Sequence, residues 1–78
     1  MNATTKAIID RLPRKPLLSP SEVAAAYGLA TTNAILADIK TGRLPANVVG
    51  GRYIISHSAA EAYVAANEYR PDEGTVIK

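Results

Sequence analysis

The sequence contains no cysteine, which excludes disulfides, thiolate zinc sites and thiol nucleophiles together. It has no tryptophan and no phenylalanine; its aromatics are four tyrosines, Tyr27, Tyr53, Tyr63 and Tyr69. A core without large apolar rings must come from Ile, Leu, Val and abundant Ala, so a small, helical one is expected, of the kind often steadied by oligomerisation. No apolar run approaches the roughly 20 residues of a membrane helix. The opening MNATTKAIIDRL lacks the basic, apolar and small-residue order of a signal peptide. The expectation is a cytoplasmic chain without a membrane partner. His57 is the only histidine, no metal ligands fall at useful spacing, and no phosphate-cradling glycine loop opens a helix. Neither metal nor cofactor is expected.

Length narrows the class further. Seventy-eight residues support one core and bury roughly 60% of the unfolded surface. That leaves no room for a pocket, a lid and a catalytic constellation together. A tyrosine nucleophile of the recombinase kind needs arginines and a histidine around it in a cleft, so the tyrosines read as packing residues. A binding module rather than an enzyme is expected.

Charge is uneven. Residues 1–57 hold seven basic side chains against three acidic ones, whereas residues 58–78 hold two against four. Such polarity suits a polyanionic partner of the first part.

Local signals order the chain. TTKAIIDRL, residues 4–12, reads as a short helix capped by Thr4 or Thr5, with Ile8, Ile9 and Leu12 on one face. PRKP, residues 13–16, stops it, so residues 1–16 form an N-terminal helix and a basic linker. Ser19, Pro20 and Glu22 make a capping box with proline at the first helical position. That helix runs to Gly28, with Val23, Ala24 and Tyr27 inward and Leu29 plugging inward from the turn. A second helix spans about 32–41, with Ile35, Leu36 and Ile39 on one side and Asn33, Ala34, Ala37 and Thr41 opposite. Gly42 supplies its left-handed stop. The pair is a helix-turn-helix.

VVGGRYIIS, residues 48–56, follows. Two glycines suit a primed turn that needs positive φ, giving a two-stranded hairpin of about 47–49 and 52–55. Tyr53 and Ile55 lean on the helices, and Arg52 points the other way. Ser58 and Glu61 form a second capping box for a last helix, with His57 in the loop before it. Tyr63, Val64 and Ala60 or Ala66 face inward, and Arg70-Pro71 ends the helix. Residues 70–78 read as a flexible tail. The fold class is mainly α with a two-stranded β hairpin, a winged helix-turn-helix over residues 17–69.

The same residues resemble a family. Leu18-Ser19-Pro20-Ser21-Glu22-Val23-Ala24, Ile39-Lys40-Thr41-Gly42-Arg43-Leu44-Pro45-Ala46, Gly50-Gly51-Arg52-Tyr53-Ile54-Ile55 and Ala60-Glu61-Ala62-Tyr63 are similar, in order, to the excisionase-type DNA-binding domains, small relatives of the MerR winged-helix proteins. The likeness covers about residues 17–66. It implies an architectural role in phage DNA recombination: a recombination directionality factor that binds double-stranded DNA cooperatively, bends it and directs a tyrosine integrase toward excision. Other family members are small transcriptional regulators. Two departures, a turn one residue longer and no arginine or tyrosine on the exposed face of the second helix, shift the expected weight to the wing and to DNA shape.

Candidate DNA contacts follow from this frame. Thr31, Thr32 and Asn33 open the second helix, where first residues meet base edges or phosphates; the plainer reading is that they cap it. Lys40 and Arg43 at its exit suit phosphate. Asp38 would repel phosphate and is expected to tilt away, toward a neighbouring basic group. Arg52 at the hairpin tip suits a narrow minor groove, and Gly50 and Gly51 let the backbone approach. Arg14 and Lys15 are possible accessory contacts. Side-by-side self-association on DNA is expected, because one such module buries little on its own. The opposed reading is a protein-interaction module that never meets nucleic acid.

Overall fold

The capping box at Ser19 is formed. Its Oγ accepts from the Glu22 amide at 3.2 Å, while the Glu22 carboxylate accepts from the Ser19 amide at 2.8 Å. A computed structural model of the chain describes residues 1–69. Along it run α1 (Ala3–Arg11), β1 (Leu17–Leu18), α2 (Pro20–Tyr27), α3 (Asn33–Lys40), β2 (Asn47–Val49), β3 (Arg52–Ser56) and α4 (His57–Ala66). The expected tail at 70–78 and the Arg70-Pro71 stop lie outside the described residues; α4 already ends at Ala66, with Asn67 as its cap.

The sheet has three antiparallel strands in the order β1-β3-β2, not the two expected from the hairpin alone. β2 and β3 pair with Asn47, Val48 and Val49 opposite Ile54, Tyr53 and Arg52. Gly50 and Gly51 between them both hold positive φ, 57° and 75°, as a type I′ turn requires. The added strand is the end of the apparent linker: Leu17 pairs with Ser56 and Leu18 with Ile55. The His57 amide extends that ladder by donating to the Pro16 carbonyl at 2.9 Å. Proline lacks an N–H but keeps its acceptor, so an edge strand next to it is permitted. A bare hairpin is marginal in water; β1 fixes the base of this one.

Core residues come from every part of the chain. Leu12, Val23, Ile35, Leu44, Ile55 and Val64 are each at most 2% exposed. Each such burial is worth roughly 1.5–3 kcal/mol. Leu12 closes α1, so that helix is packed on the body, beside α2 and α4. Leu44, between Arg43 and Pro45, drops inward from the exit of α3.

Three local expectations change. Asn2, not Thr4 or Thr5, caps α1: its side chain accepts from the Thr5 amide at 2.8 Å. Thr5 is itself buried, and its hydroxyl donates to the Glu68 carboxylate at 2.9 Å. The Asn2 amide donates to the same oxygen. A carboxylate at a helix N-terminus is favoured by the dipole, so Glu68, beyond the end of α4, ties down the start of α1.

Ser56, not Ser58, caps α4. Its Oγ accepts from the Ala59 amide at 3.0 Å, and His57 becomes the first helical residue, 3.6 Å from the Glu61 carboxylate one turn on. β3 runs straight into α4, so the last strand residue serves as the cap. Of the two inward alternatives Ala60 is buried and Ala66 exposed. Leu29, expected inside, is 42% exposed. Its amide donates to the Ala24 carbonyl at 3.0 Å as the chain turns through Gly28, and that path leaves the side chain in solvent.

Candidate nucleic-acid interface

The residues singled out for DNA fall into three groups. α3 carries the first two, one at each end. Thr31 and Asn33 are exposed and Thr32 is half-buried at the N-cap position. Thr32 offers no side-chain cap, and Thr31 accepts from the Asn33 amide at a long 3.4 Å. The capping reading therefore accounts for Thr31 but not for the Thr32 hydroxyl or the Asn33 side chain. The amide-rich start of α3 is left to water or to an incoming acceptor, which the helix dipole makes an anion by preference.

Lys40 and Arg43 stand at the other end, both exposed. Between them Thr41 caps α3, and Gly42 at φ 86° reverses the chain. Asp38 organises this exit. Its backbone carbonyl accepts from the Thr41 hydroxyl at 3.2 Å and from the Leu44 amide at 3.2 Å. Its carboxylate accepts from the Tyr63 hydroxyl on one oxygen, and the other lies 4.0 Å from the Arg43 guanidinium. Asp38 does turn from the surface, yet the group that holds it is mainly a phenol of the core. Sequence reasoning gave Tyr63 only a packing role. The available signal was that Asp38 is the sole acidic residue between Glu22 and Glu61.

Burial raises the Tyr63 phenol well above its usual range, and the Asp38 carboxylate beside it adds to the effect. Tyr63 thus stays a neutral donor at any physiological pH. Its ring meets that of Tyr27 edge-on, with centroids 6.0 Å apart and planes at 77°, an arrangement rings favour. Burial also raises the Tyr27 phenol. The Asn67 side chain opposes that rise, but without the geometry of a hydrogen bond to the buried hydroxyl.

The Asp38–Arg43 pair is loose. The arginine side chain is 70% exposed, and an exposed ion pair is worth about 0.2–1 kcal/mol. Arg43 remains available to a better-placed anion.

The third group is the hairpin. Arg52 directly follows Gly51 and is exposed. Among the described residues no carboxylate pairs with Arg52, Lys40 or Arg14. Lys15 differs: it is bound to Glu22 at 2.7 Å. That bond is the leading cause holding the Glu22 carboxyl below its usual range, with the Ser19 amide next. Lys15 and Arg52 nonetheless line one groove with Glu22, Tyr53 and Ile54. Arg14 and Lys15 also edge a shallow hollow with Pro16 and His57. The basic linker is thereby brought to the base of the hairpin, by the β1–β3 pairing that the sequence did not reveal.

Among the described residues no helix is long and apolar enough to cross a membrane. No family model, curated protein or solved structure matches the chain.

Proposed function

We propose that the protein is a winged helix-turn-helix DNA-binding protein without catalytic activity, acting as an excisionase-type architectural factor. In this reading α2 and α3 are the helix-turn-helix and the β2–β3 hairpin is the wing. The start of α3, at Thr31, Thr32 and Asn33, enters a major groove. Lys40 and Arg43 take phosphates at its exit, and Arg52 reaches the neighbouring minor groove, where a narrow stretch attracts arginine. Arg14 and Lys15 extend the phosphate footprint.

One observation carries the reading above the rest. A two-glycine turn holds out an exposed guanidinium that no described carboxylate neutralises, on a hairpin braced by a third strand. Exposed and without a described carboxylate partner, that cation keeps its full charge available to an approaching phosphate. The start of α3, held by one long bond from the Asn33 amide to the Thr31 hydroxyl, is a second feature suited to phosphate.

Affinity in this reading is mostly electrostatic. Contact with about 4–6 phosphates makes the logarithm of the binding constant fall against log salt with a slope of about −4 to −5. One module covers too little DNA for tight binding, on the order of 600–1,000 Å². Copies loaded side by side on attachment-site DNA supply the rest, and store the bend that a tyrosine integrase complex uses.

The test is an anisotropy titration of double-stranded DNA across a salt series, followed by mobility shift on attachment-site DNA with and without integrase. A steep salt slope with stepwise loading supports the proposal. Binding that ignores salt overturns it in favour of a protein-interaction module. Promoter DNA bound in preference to attachment DNA overturns the recombination role in favour of transcriptional regulation.

A further inference from the structure

A carboxylate beside an interface for polyanions lowers affinity for all of them, so its presence needs a reason. Asp38 is the sole acidic residue between Glu22 and Glu61, and it stands two residues before the last residue of α3. One of its oxygens is held by the Tyr63 hydroxyl from the core. The other faces Arg43 at 4.0 Å, and the Asp38 carbonyl holds the turn that carries Arg43 by its bonds from Thr41 and Leu44.

We infer that Asp38 is a positioning and specificity-determining residue whose second oxygen restrains Arg43 and withholds that cation from indiscriminate phosphate contact, while Tyr63, holding the first oxygen, limits how tightly the pair closes. The inference rests on the proposed DNA reading and deepens it.

The physical logic is one of differences. Diffuse binding to any duplex scales with the number of free cations, so a restrained Arg43 weakens every wrong complex. A complex in which α3 is seated brings a phosphate to the exit of the helix, at close range and in correct geometry. That phosphate displaces a loose, exposed pair at small cost. Discrimination rises although no attractive contact to the right site has been added. Tyr63 sets the balance, since it occupies the carboxylate from the protein side and keeps it from closing fully on Arg43.

Opposite signs test this. Asp38→Asn keeps an acceptor for Tyr63 and removes the charge. Its affinity for a random-sequence duplex should rise roughly 1.4- to 5-fold, the worth of one exposed ion pair, with the salt slope steeper by about 0.9. Adding Arg43→Ala should cancel the gain in slope and most of the gain in affinity, leaving only the small repulsion that the carboxylate exerts directly. Tyr63→Phe should shift affinity the other way, because the released carboxylate turns wholly to Arg43.

A purely structural role for Asp38 would weaken binding in both variants, and that outcome overturns the inference. So does a gain in Asp38→Asn that survives Arg43→Ala undiminished. A readout without DNA separates the two levels: nitrogen relaxation of the Arg43 side chain should show it looser in Asp38→Asn and tighter in Tyr63→Phe. If the wild-type chain binds no duplex, the proposed function fails while this readout still decides the restraint. Unchanged Arg43 motion overturns the inference by itself.

Discussion

Replacing Arg52 by alanine separates binding from folding more cleanly than any other change. The side chain is exposed, and the backbone pairing of Arg52 with Val49 does not involve it. No described ion pair is lost either. Substitutions of that kind leave stability within about 0.5 kcal/mol, so the urea midpoint and its slope should stay at the wild-type values. Binding should suffer much more. Loss of one guanidinium contact costs roughly 1–3 kcal/mol, which is about 5- to 150-fold in dissociation constant. The salt slope should fall in magnitude by about one, as for any phosphate-facing cation removed.

Anisotropy titrations of the two proteins on one duplex, at several salt concentrations, read both quantities. Arg52→Lys refines the result: a charge-only role retains the slope, whereas a minor-groove role loses affinity despite the retained charge. Equal affinity and equal slope for wild type and Arg52→Ala would remove the hairpin from the mechanism. A large drop in stability would show that the guanidinium serves the fold instead.

Further predictions concern the scaffold. Ser56→Ala should cost about 1 kcal/mol through loss of the helix cap, lowering the melting temperature by about 4–8 °C in a domain this size, while Ser58→Ala should be close to neutral; equal effects would refute the assigned start of α4. Leu44→Ala should cost about 2–5 kcal/mol in chemical denaturation, as expected for a fully buried side chain on an exit turn. Glu22 has a carboxyl lowered by Lys15 and by the Ser19 amide, so its stabilisation is present above the usual glutamate range and is lost as pH falls through the lowered value. Melting curves down a pH series should therefore show a shallower acid limb in Glu22→Gln than in wild type.

Much of the fold was legible before any coordinates. The Ser19 capping box, the Gly28 and Gly42 stops, the apolar stripe of α3 and the two-glycine hairpin depend on residues within a few positions of one another. Their energies are local, so sequence order alone specifies them. The candidate contacts on α3 and at the hairpin tip are surface positions of those same elements, and they were named with them.

What the sequence did not disclose needed a partner far along the chain. Leu17 and Leu18 are too short a run to have a period, and they become a strand only because Ser56 and Ile55 lie opposite. Ser56 and Ser58 are comparable caps locally, and the direct passage of β3 into α4 selects the first. Asn2 and Thr5 meet Glu68 across 66 and 63 residues, and Asp38 meets Tyr63 across 25. Local chemistry thus determined which helices and which turn exist, whereas tertiary structure decided what the polar side chains between them hold. Long-range contacts choose among local options of nearly equal energy, and here that choice placed a phenol and a carboxylate behind the cation at the exit of α3.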